Sequence, residues 1–277
     1  IPFEFVSETR QWLDYSLKGI RNGWDLRSPV KAYVLGANVW RYAQDWPPPD
    51  VADQLYYLHS SGSAQTLNGD GALRTELPST PQSESSFVYD PRNPVPTRGG
   101  RHGDNWTAGP MDQRDVEARP DVLVYSSDVL GRPLLVMGQV KARLFAASSA
   151  PDTDFTAKLV DVFPDGRALI VCEGVLRTRY REVLDRETLM RPGTVYPLEI
   201  DLGPAAVQFQ PRHRIRLEIS SSNAPRYDAN PNTGAVIATE RNAVPATQRV
   251  FHTPAYPSAL VLPVMTQTSE NRRKAKM

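Results

Sequence analysis

The sequence lacks the features that define several classes of protein. It has a single cysteine, Cys172, which cannot form a disulfide within the chain. No stretch of the sequence approaches the roughly 20 consecutive apolar residues that a helix needs to span a bilayer. Lys and Arg number 32 against 31 Asp and Glu, a formal net charge of +1, without the basic excess typical of nucleic-acid-binding proteins. The sequence therefore predicts no disulfide framework, no membrane segment and no nucleic-acid partner.

Proline, by contrast, is abundant. The chain has 25 prolines in 277 residues, about 9% against a usual share of about 5%. A proline inside a helix costs about 3 kcal/mol, so this excess argues against a helical bundle. A chain of this length buries roughly 70–75% of its unfolded surface, which is enough for a core without cross-links. The composition predicts a soluble, strand-rich globular protein of one or two domains.

One stretch near the start has the pattern of a helix. Residues 7–18 place apolar side chains along one face, with Ser7 as N-cap and Gly19 as a stop signal. Such a short helix is marginal alone, so its apolar face is expected to pack on another element. The start at Ile1 does not resemble a signal peptide, and we expect further residues upstream. A single cysteine fits a cytoplasmic or a secreted bacterial protein, and both stay open.

From residue 31 onward the sequence predicts strands. Apolar and charged residues alternate in 140–144, 198–202 and 212–220, which is typical of half-buried strands. Another long strand is predicted over 170–181, and shorter strands are predicted at 31–35, 54–59, 72–75 and 86–89. Turn signals rich in Pro, Gly and Asn separate these segments. Many strands at this spacing indicate a mainly β protein, an antiparallel β-sandwich of the jelly-roll type.

The search for catalytic motifs finds no self-contained machinery. The sequence has no Gly-x-Ser-x-Gly motif, which exposes the nucleophile of α/β-hydrolases. Residues 228–240 imitate a calcium loop, but the glycine and the final acid each fall one position late. The acids of 152–154 and Asp161, and the polar run 220–223, fit turns and strand ends better than ligand sites. The four histidines lack zinc-site spacing; they are His59, His102, His213 and His252. We predict no catalytic residue, no metal site and no cofactor.

Several blocks, in colinear order from about residue 10 to residue 264, carry a likeness to a known family. The blocks are Trp12–Gly19, Val34–Arg41 with Trp46-Pro47, Phe87–Pro91 with Pro94–Pro96 and Gly99-Gly100, Gly109–Arg114, Asp121–Ser127, Asp152–Gly166 and Ser220–Asp228. Each block alone is weak, and together they are specific. They resemble the C-terminal region of the cocaine esterase, α-amino-acid ester hydrolase and X-Pro dipeptidyl-peptidase (CocE/NonD-type) family of serine hydrolases.

The resemblance implies a division of labour within a larger enzyme. In that family the Ser-Asp-His triad and the oxyanion tyrosine lie in an α/β-hydrolase part upstream of the Trp12 helix, so this chain alone is expected to be inactive. We expect an apolar patch around Trp12, Leu13 and Leu17 where that part is absent. The implied segments are 1–30, the last helix of the hydrolase domain; 31–120, a bridge and the loop-rich part of the jelly roll; 121–264, the galactose-binding-like β-sandwich core; and 265–277, a basic disordered tail.

The resemblance also implies a site. In the family, the loop between the Gly-Gly and Asp-Gln-Arg blocks helps close the acyl pocket, and here that loop is residues 101–108. Trp106, His102 and Asn105 are thus the implied substrate-pocket rim, although Trp106 could equally cover the sandwich edge. The implied partners are the missing α/β-hydrolase part, in the same polypeptide or in a second chain, and a small acyl ester or amide substrate. A homo-oligomer stays open.

Two alternatives to this function stay open. The first is a stand-alone carbohydrate-binding jelly roll, which would need exposed aromatic side chains as a sugar platform. Trp40, Trp46 and Trp106 are the residues that could supply it. The second is a separately encoded subunit that completes its active site with another chain.

Overall fold

The structure, a computed structural model, describes residues 5–79, 84–101 and 108–266. The predicted basic tail falls outside this part from residue 267 onward. In chain order the described elements are α1 (Phe5–Lys18), β1 (Val30–Val34), β2 (Val39–Ala43), β3 (Val51–His59), β4 (Ala72–Arg74), β5 (Ser85–Tyr89), α2 (Arg114–Glu117), β6 (Leu123–Ser127), β7 (Leu134–Ser148), β8 (Asp154–Val162), β9 (Ala168–Arg177), β10 (Tyr196–Phe209), β11 (Arg214–Ser220), β12 (Ala246–Phe251) and β13 (Ala259–Met265).

Strands β3 to β13 form a sandwich of two layers. Their hydrogen-bonded order is continuous, β5-β12-β7-β13-β3-β4-β6-β11-β8-β9, with β10 paired to β7, so the pairing of β3 with β4 joins the two layers at one edge. The pairs are antiparallel except β4 with β6, and β10 packs across the sandwich onto β8 and β9. This is the predicted jelly-roll β-sandwich. Strands β3, β4 and β5 come from the predicted bridge segment and belong to the same sandwich; the segment boundaries themselves stay a prediction.

The alternating patterns place their apolar side chains between the two layers. The buried residues of these strands include Val140, Ala142, Leu144, Leu198, Ile200, Leu202, Ile215, Leu217 and Ile219. Full burial of a large aliphatic side chain contributes about 1.5–3 kcal/mol, so this row supplies much of the stability of the sandwich.

Helix α1 and the β1–β2 hairpin lie outside this core. The helix is confirmed and ends at Lys18, before Gly19 with a φ of 67°. None of its side chains is buried, and Trp12 and Leu17 are 48% and 78% exposed. Leu13 is half-buried. In the described part of the chain, no helix is long and apolar enough to cross a membrane.

One predicted strand is wrong at its end. The pattern of 170–181 predicts a continuous strand, but β9 ends at Arg177 and residues 178–180 form a 3-10 turn. The cause is the buried carboxylate of Asp152, which accepts hydrogen bonds from the Arg179 backbone N–H (3.0 Å) and the Thr178 hydroxyl (3.2 Å). These contacts turn the backbone away from β8, so it leaves the sheet.

Candidate functional site

The implied rim residues Trp106, His102 and Asn105 lie outside the described residues, so their place at a pocket stays a prediction. The structure describes the two stretches of chain that flank them. We call these stretches the neck, residues 99–101 and 109–111. The neck and the residues that it contacts form the described part of the candidate site.

Two glycines bring the two sides of the neck together. The N–H of Gly100 donates to the carbonyl of Gly109, and the N–H of Gly109 donates to the carbonyl of Gly100, each at 2.9 Å. Their φ angles of 90° and 92° lie in the region that glycine enters without steric cost. A Cβ on Gly100 would overlap the Glu173 carboxylate. Close approach to a buried acid therefore requires glycine at position 100.

Beyond the neck the chain attaches to the edge of β9. The N–H of Ile170 donates to the Met111 carbonyl (3.2 Å), and the N–H of Gln113 donates to the Ala168 carbonyl (2.8 Å). The Gln113 side chain, fully buried, donates to the Arg98 carbonyl at 2.8 Å and accepts from Lys158 Nζ at 3.0 Å. Gln113 thus ties together the chain before the neck, the chain after it and the sheet beneath.

A buried polar layer lies under this segment. We define the polar layer as Gln113, Glu117, Lys158, Glu173, Arg216, Glu218, Asn223 and Arg226. Its centre is a row of side chains at paired positions on β11, β8 and β9. Glu218 pairs with Lys158, and Lys158 pairs with Glu173. Each of these three residues is only 2% exposed, so their charges depend on protein partners rather than on water.

Two members of the polar layer reach the neck: Gln113 Nε2 donates to the Met111 carbonyl at 3.0 Å, and Glu173 contacts the side at Arg101. The Glu173 carboxylate accepts from the Arg101 backbone N–H (3.3 Å) and from Asn223 Nδ2 (2.8 Å). Arg226 Nη1 lies 2.9 Å from Glu173 Oε1. The Arg101 guanidinium continues past Glu173 and donates to the Leu202 carbonyl at 2.5 Å.

At the other end of the row, Glu117 and Glu218 form an acid pair. Arg216 Nη1 lies 2.6 Å from Glu117 Oε2, and Lys158 Nζ lies 3.7 Å from Glu218 Oε2. Burial raises the pKa of both carboxyls, that of Glu218 to about 8. The remaining oxygens, Glu117 Oε1 and Glu218 Oε1 and Oε2, lack a hydrogen-bond donor. The raised pKa of Glu218 favours its neutral form, and the proton of that form would be donated to Glu117.

The acids of the 152–154 block have structural partners. Asp152 accepts from Arg179 Nε (2.9 Å) and Asn230 Nδ2 (2.7 Å). Asp154 forms two hydrogen bonds of 3.0 Å with Arg177. Asn230, the third residue of the calcium-like segment, thus donates its side-chain N–H groups to the carboxylates of Asp152 and Asp154. Within the described residues, no group of three or more His, Cys, Asp or Glu side chains is placed to hold a metal ion.

Two histidine pairs were not found by sequence reasoning, because their partners are far apart in the chain. His252 Nε2 lies 3.0 Å from the Ser85 hydroxyl, and both residues are fully buried. Burial lowers the pKa of His252. His213 Nδ1 lies 2.8 Å from Asp161 Oδ1, also in the interior. Neither pair has the access that substrate chemistry needs, and both satisfy buried polar atoms.

The two described tryptophans of the carbohydrate alternative lie on the hairpin side of the molecule. The Trp40 ring packs edge-on against Tyr33, with 5.3 Å between ring centroids, and Lys31 Nζ lies 4.7 Å above it. Trp46 is half-buried in the proline segment that precedes β3. The carbohydrate alternative stays untested, since Trp106 is outside the described residues.

Fold and polar layer together define a β-sandwich domain with buried charges that contact the loops above the sheet. Residues 22–261 match the family described as X-Pro dipeptidyl-peptidase C-terminal non-catalytic domain. The chain belongs to this family. The resemblance inferred from the sequence blocks is therefore confirmed: this is the C-terminal, non-catalytic domain of CocE/NonD-type hydrolases.

Similar proteins extend the comparison. The chain is 46% identical over 268 residues to cocaine esterase of Rhodococcus sp. (strain MB1 Bresler), covering 95% of this chain and 46% of that protein. An aminopeptidase from the marine sediment archaeon Thaumarchaeota archaeon has a TM-score of 0.80 at 33% identity, covering 93% of this chain and 43% of its own. An α-amino acid ester hydrolase has a TM-score of 0.78 at 31% identity, covering 92% and 44%. The chain spans less than half the length of each of these relatives.

Proposed function

We propose that the chain is the C-terminal β-sandwich part of a serine hydrolase that cleaves acyl ester or amide bonds. The observation that carries the proposal is the 46% identity to a cocaine esterase over 95% of this chain. The likeness to an ester hydrolase and to an aminopeptidase supports the same two bond types. In this proposal the nucleophile, its histidine base and the oxyanion hole lie in an N-terminal α/β-hydrolase part.

In this proposal the chain helps to shape the acyl pocket. Trp106, His102 and Asn105 are proposed as rim residues on the segment between the two sides of the neck. Two features support this role. A loop aromatic offers a large apolar surface for recognition, and the paired hydrogen bonds of Gly100 and Gly109 fix both sides of the neck.

The face around α1 is proposed as the contact surface for the N-terminal part. Trp12, Leu17 and Tyr42 expose large apolar surfaces of 48%, 78% and 63%. Tyr42 also lines an open groove of about 630 Å³, together with residues that include Glu8 of α1, Trp24 and Lys31. Exposed apolar area of this kind marks an interaction surface. The occupant we propose is the hydrolase part, because more than half of each relative's length lies outside the matched region.

An active-site probe tests the division of labour. The purified chain should neither hydrolyse an activated acyl ester nor be labelled by a fluorophosphonate, whereas the chain joined to its N-terminal part should do both. Labelling of this chain alone would overturn the proposal. Native mass measurement decides whether the N-terminal part belongs to the same polypeptide or to a second chain, and whether the assembly is a homo-oligomer.

A substitution tests the proposed rim. In the joined hydrolase, Trp106→Ala should raise KM by about 5- to 30-fold, because it removes about 1–2 kcal/mol of apolar contact with the substrate. Leu184→Ala is the matched control, since Leu184 is 86% exposed and lies outside the loop. Equal KM values for Trp106→Ala and the control would exclude Trp106 from the rim.

A further inference from the structure

We propose that Asn22 is a site of spontaneous deamidation, at which the side-chain amide is converted to a carboxylate. The chain contains two Asn-Gly dipeptides, Asn22-Gly23 and Asn68-Gly69. Asparagine before glycine is prone to this reaction because glycine, without a Cβ, leaves the carboxamide open to attack by the next backbone nitrogen. The two sites share this sequence, but their surroundings in the structure differ. Nothing in this chemistry depends on the proposed function.

The reaction needs only water and the groups of the dipeptide itself. The backbone nitrogen of Gly23 gives up its proton to solvent and attacks Cγ of Asn22. The new N–Cγ bond forms, the Cγ–Nδ2 bond breaks, and ammonia leaves with a proton taken from water. Water then opens the resulting cyclic imide at either of its carbonyl groups. Position 22 therefore becomes an aspartyl or an isoaspartyl residue.

At the first site the attacking nitrogen is unconstrained. Gly23 has a φ of 78°, and a Cβ on it would meet no atom within 4 Å. Within the described residues, no carbonyl accepts a hydrogen bond from the Gly23 N–H. Asn22 itself is exposed. The nitrogen can therefore turn toward the side chain without losing a hydrogen bond and without displacing a neighbour.

The Asn22 side chain folds back over the Gly23 peptide. Its Oδ1 accepts from the Trp24 backbone N–H at 3.2 Å, which closes a turn around Gly23. Its Nδ2 donates to the Gln11 carbonyl at 2.8 Å. Attack on Cγ places negative charge on Oδ1, where the Trp24 N–H can stabilise it. Both hydrogen bonds are exposed to solvent, so they orient the amide at little cost to its mobility.

At the second site the attacking nitrogen is held in place. The Gly69 N–H donates to the Thr66 carbonyl at 3.2 Å. A Cβ on Gly69 would overlap the carbonyl oxygens of Ser63 and Gln65, so the backbone is tightly packed here. The next N–H, that of Asp70, donates to the Ser63 carbonyl at 3.0 Å. Attack by the Gly69 nitrogen first requires this turn to open, and the free energy of opening slows the reaction.

Conversion should loosen the link between α1 and the residues that follow it. A carboxylate at position 22 has no N–H to donate to the Gln11 carbonyl, so that contact is lost. Trp24 lines the open groove beside α1, and the change therefore alters this face of the molecule. Asn22→Asp reproduces the charge and should speed hydrogen exchange of the Leu26 amide, which closes the next turn, by about threefold or more. Asn68→Asp is the control and should leave that amide unchanged; equal rates in the two variants would contradict this consequence.

Peptide mapping of the purified chain by mass spectrometry tests the site itself. During incubation at mildly alkaline pH, the peptide with Asn22 should gain the mass difference between amide and acid at least about tenfold faster than the peptide with Asn68. Hydroxylamine, which cleaves the cyclic imide, should cut the chain after position 22. Asn22→Gln is the matched variant, because it keeps the amide but has to close a larger ring that forms more slowly. Conversion at position 22 should then fall to the rate at Asn68 or below it.

The same map in urea separates the effect of structure from the effect of sequence. Unfolding removes the turn around Gly69, so the two sites should convert at rates within about threefold of each other. Three results would overturn the proposal: equal rates in the folded chain, faster conversion at Asn68, or a tenfold difference that persists in urea.

Discussion

At the scale of single residues, the acid pair of the polar layer gives the sharpest electrostatic consequence. Glu117 and Glu218 lie on α2 and β11, and they face Lys158, Arg216 and each other. Burial raises the pKa of Glu218 from 4.5 to about 8. The folded protein therefore binds this proton more tightly than the unfolded chain does. By linkage, the resulting stabilisation is complete below about pH 4.5 and is lost as the pH rises through about 8.

Glu218→Gln should remove this pH dependence. A neutral amide cannot titrate, so the contribution of Glu218 to the slope, at most about 1.4 kcal/mol per pH unit for one proton, should disappear between pH 5 and 8. Urea denaturation of the chain at several pH values measures it. Glu199→Gln is the control, because hydrogen bonds from Lys141 and Arg143 lower the pKa of Glu199. Parallel stability profiles for wild type and Glu218→Gln would refute the shared proton.

Sequence reasoning could predict little of this site at residue scale. Lys158, Glu173 and Glu218 read as ordinary charges on alternating strands, and alternation alone predicts that such residues face water. They are buried because the segment around the neck covers this face of the sheet. A single sequence does not predict that this segment packs over the sheet, because the contacts join residues as far apart in the chain as Arg101 and Glu173.

At the scale of elements, the buried ion pairs after β9 decide where the strand ends. Asp152 is fully buried, and it faces Arg179, whose side chain is 3% exposed. Sequence alternation correctly predicted the apolar faces of β7, β10 and β11. It overran the end of β9 because Arg177 and Arg179 continue the alternating pattern, although buried acids bind both. A strand pattern predicts which face of the sheet a side chain occupies. It does not predict which residue that side chain contacts there.

Asp152→Ala should destabilise the fold strongly. Removing the acid leaves the buried Arg179 guanidinium with the exposed acid Glu187 and the Ala235 carbonyl as partners, and breaking a buried pair in this way costs about 3–5 kcal/mol. The exposed pair of Glu199 with Lys141 offers the control, and Glu199→Ala should cost less than about 1 kcal/mol. Urea midpoints of the two variants measure the difference. A loss below about 1 kcal/mol for Asp152→Ala would contradict this account.

At the scale of the whole molecule, the chain consists of a sandwich with its own core and a peripheral face that buries little. Residues of α1 contact the rest of the chain through polar groups, including Glu8 with Lys31 at 2.5 Å and Gln11 with Arg27 at 2.6 Å. None of the helix is buried. The sequence predicted the helix and its apolar side from spacing alone. The spacing of the helix residues could not predict which residues contact this apolar side, because spacing describes only the helix itself.

Because α1 lies outside the core, the stability of this chain and its binding to the N-terminal part should depend on different residues. The double substitution Trp12→Ser and Leu17→Ser removes exposed apolar groups that contribute nothing to the core, so the free energy of unfolding of the chain should stay within about 0.5 kcal/mol of wild type. The same substitution should weaken binding to the separately produced N-terminal part by at least about tenfold, since exposed aromatic and aliphatic anchors dominate such interfaces. Calorimetry of the two parts measures the affinity. Val88→Ser is the control, because Val88 is a 58% exposed apolar residue on β5 of the sandwich; it should change neither quantity. Wild-type affinity in the double variant would show that the α1 face is not the contact surface, whereas a large loss of stability would show that α1 belongs to the core of this chain.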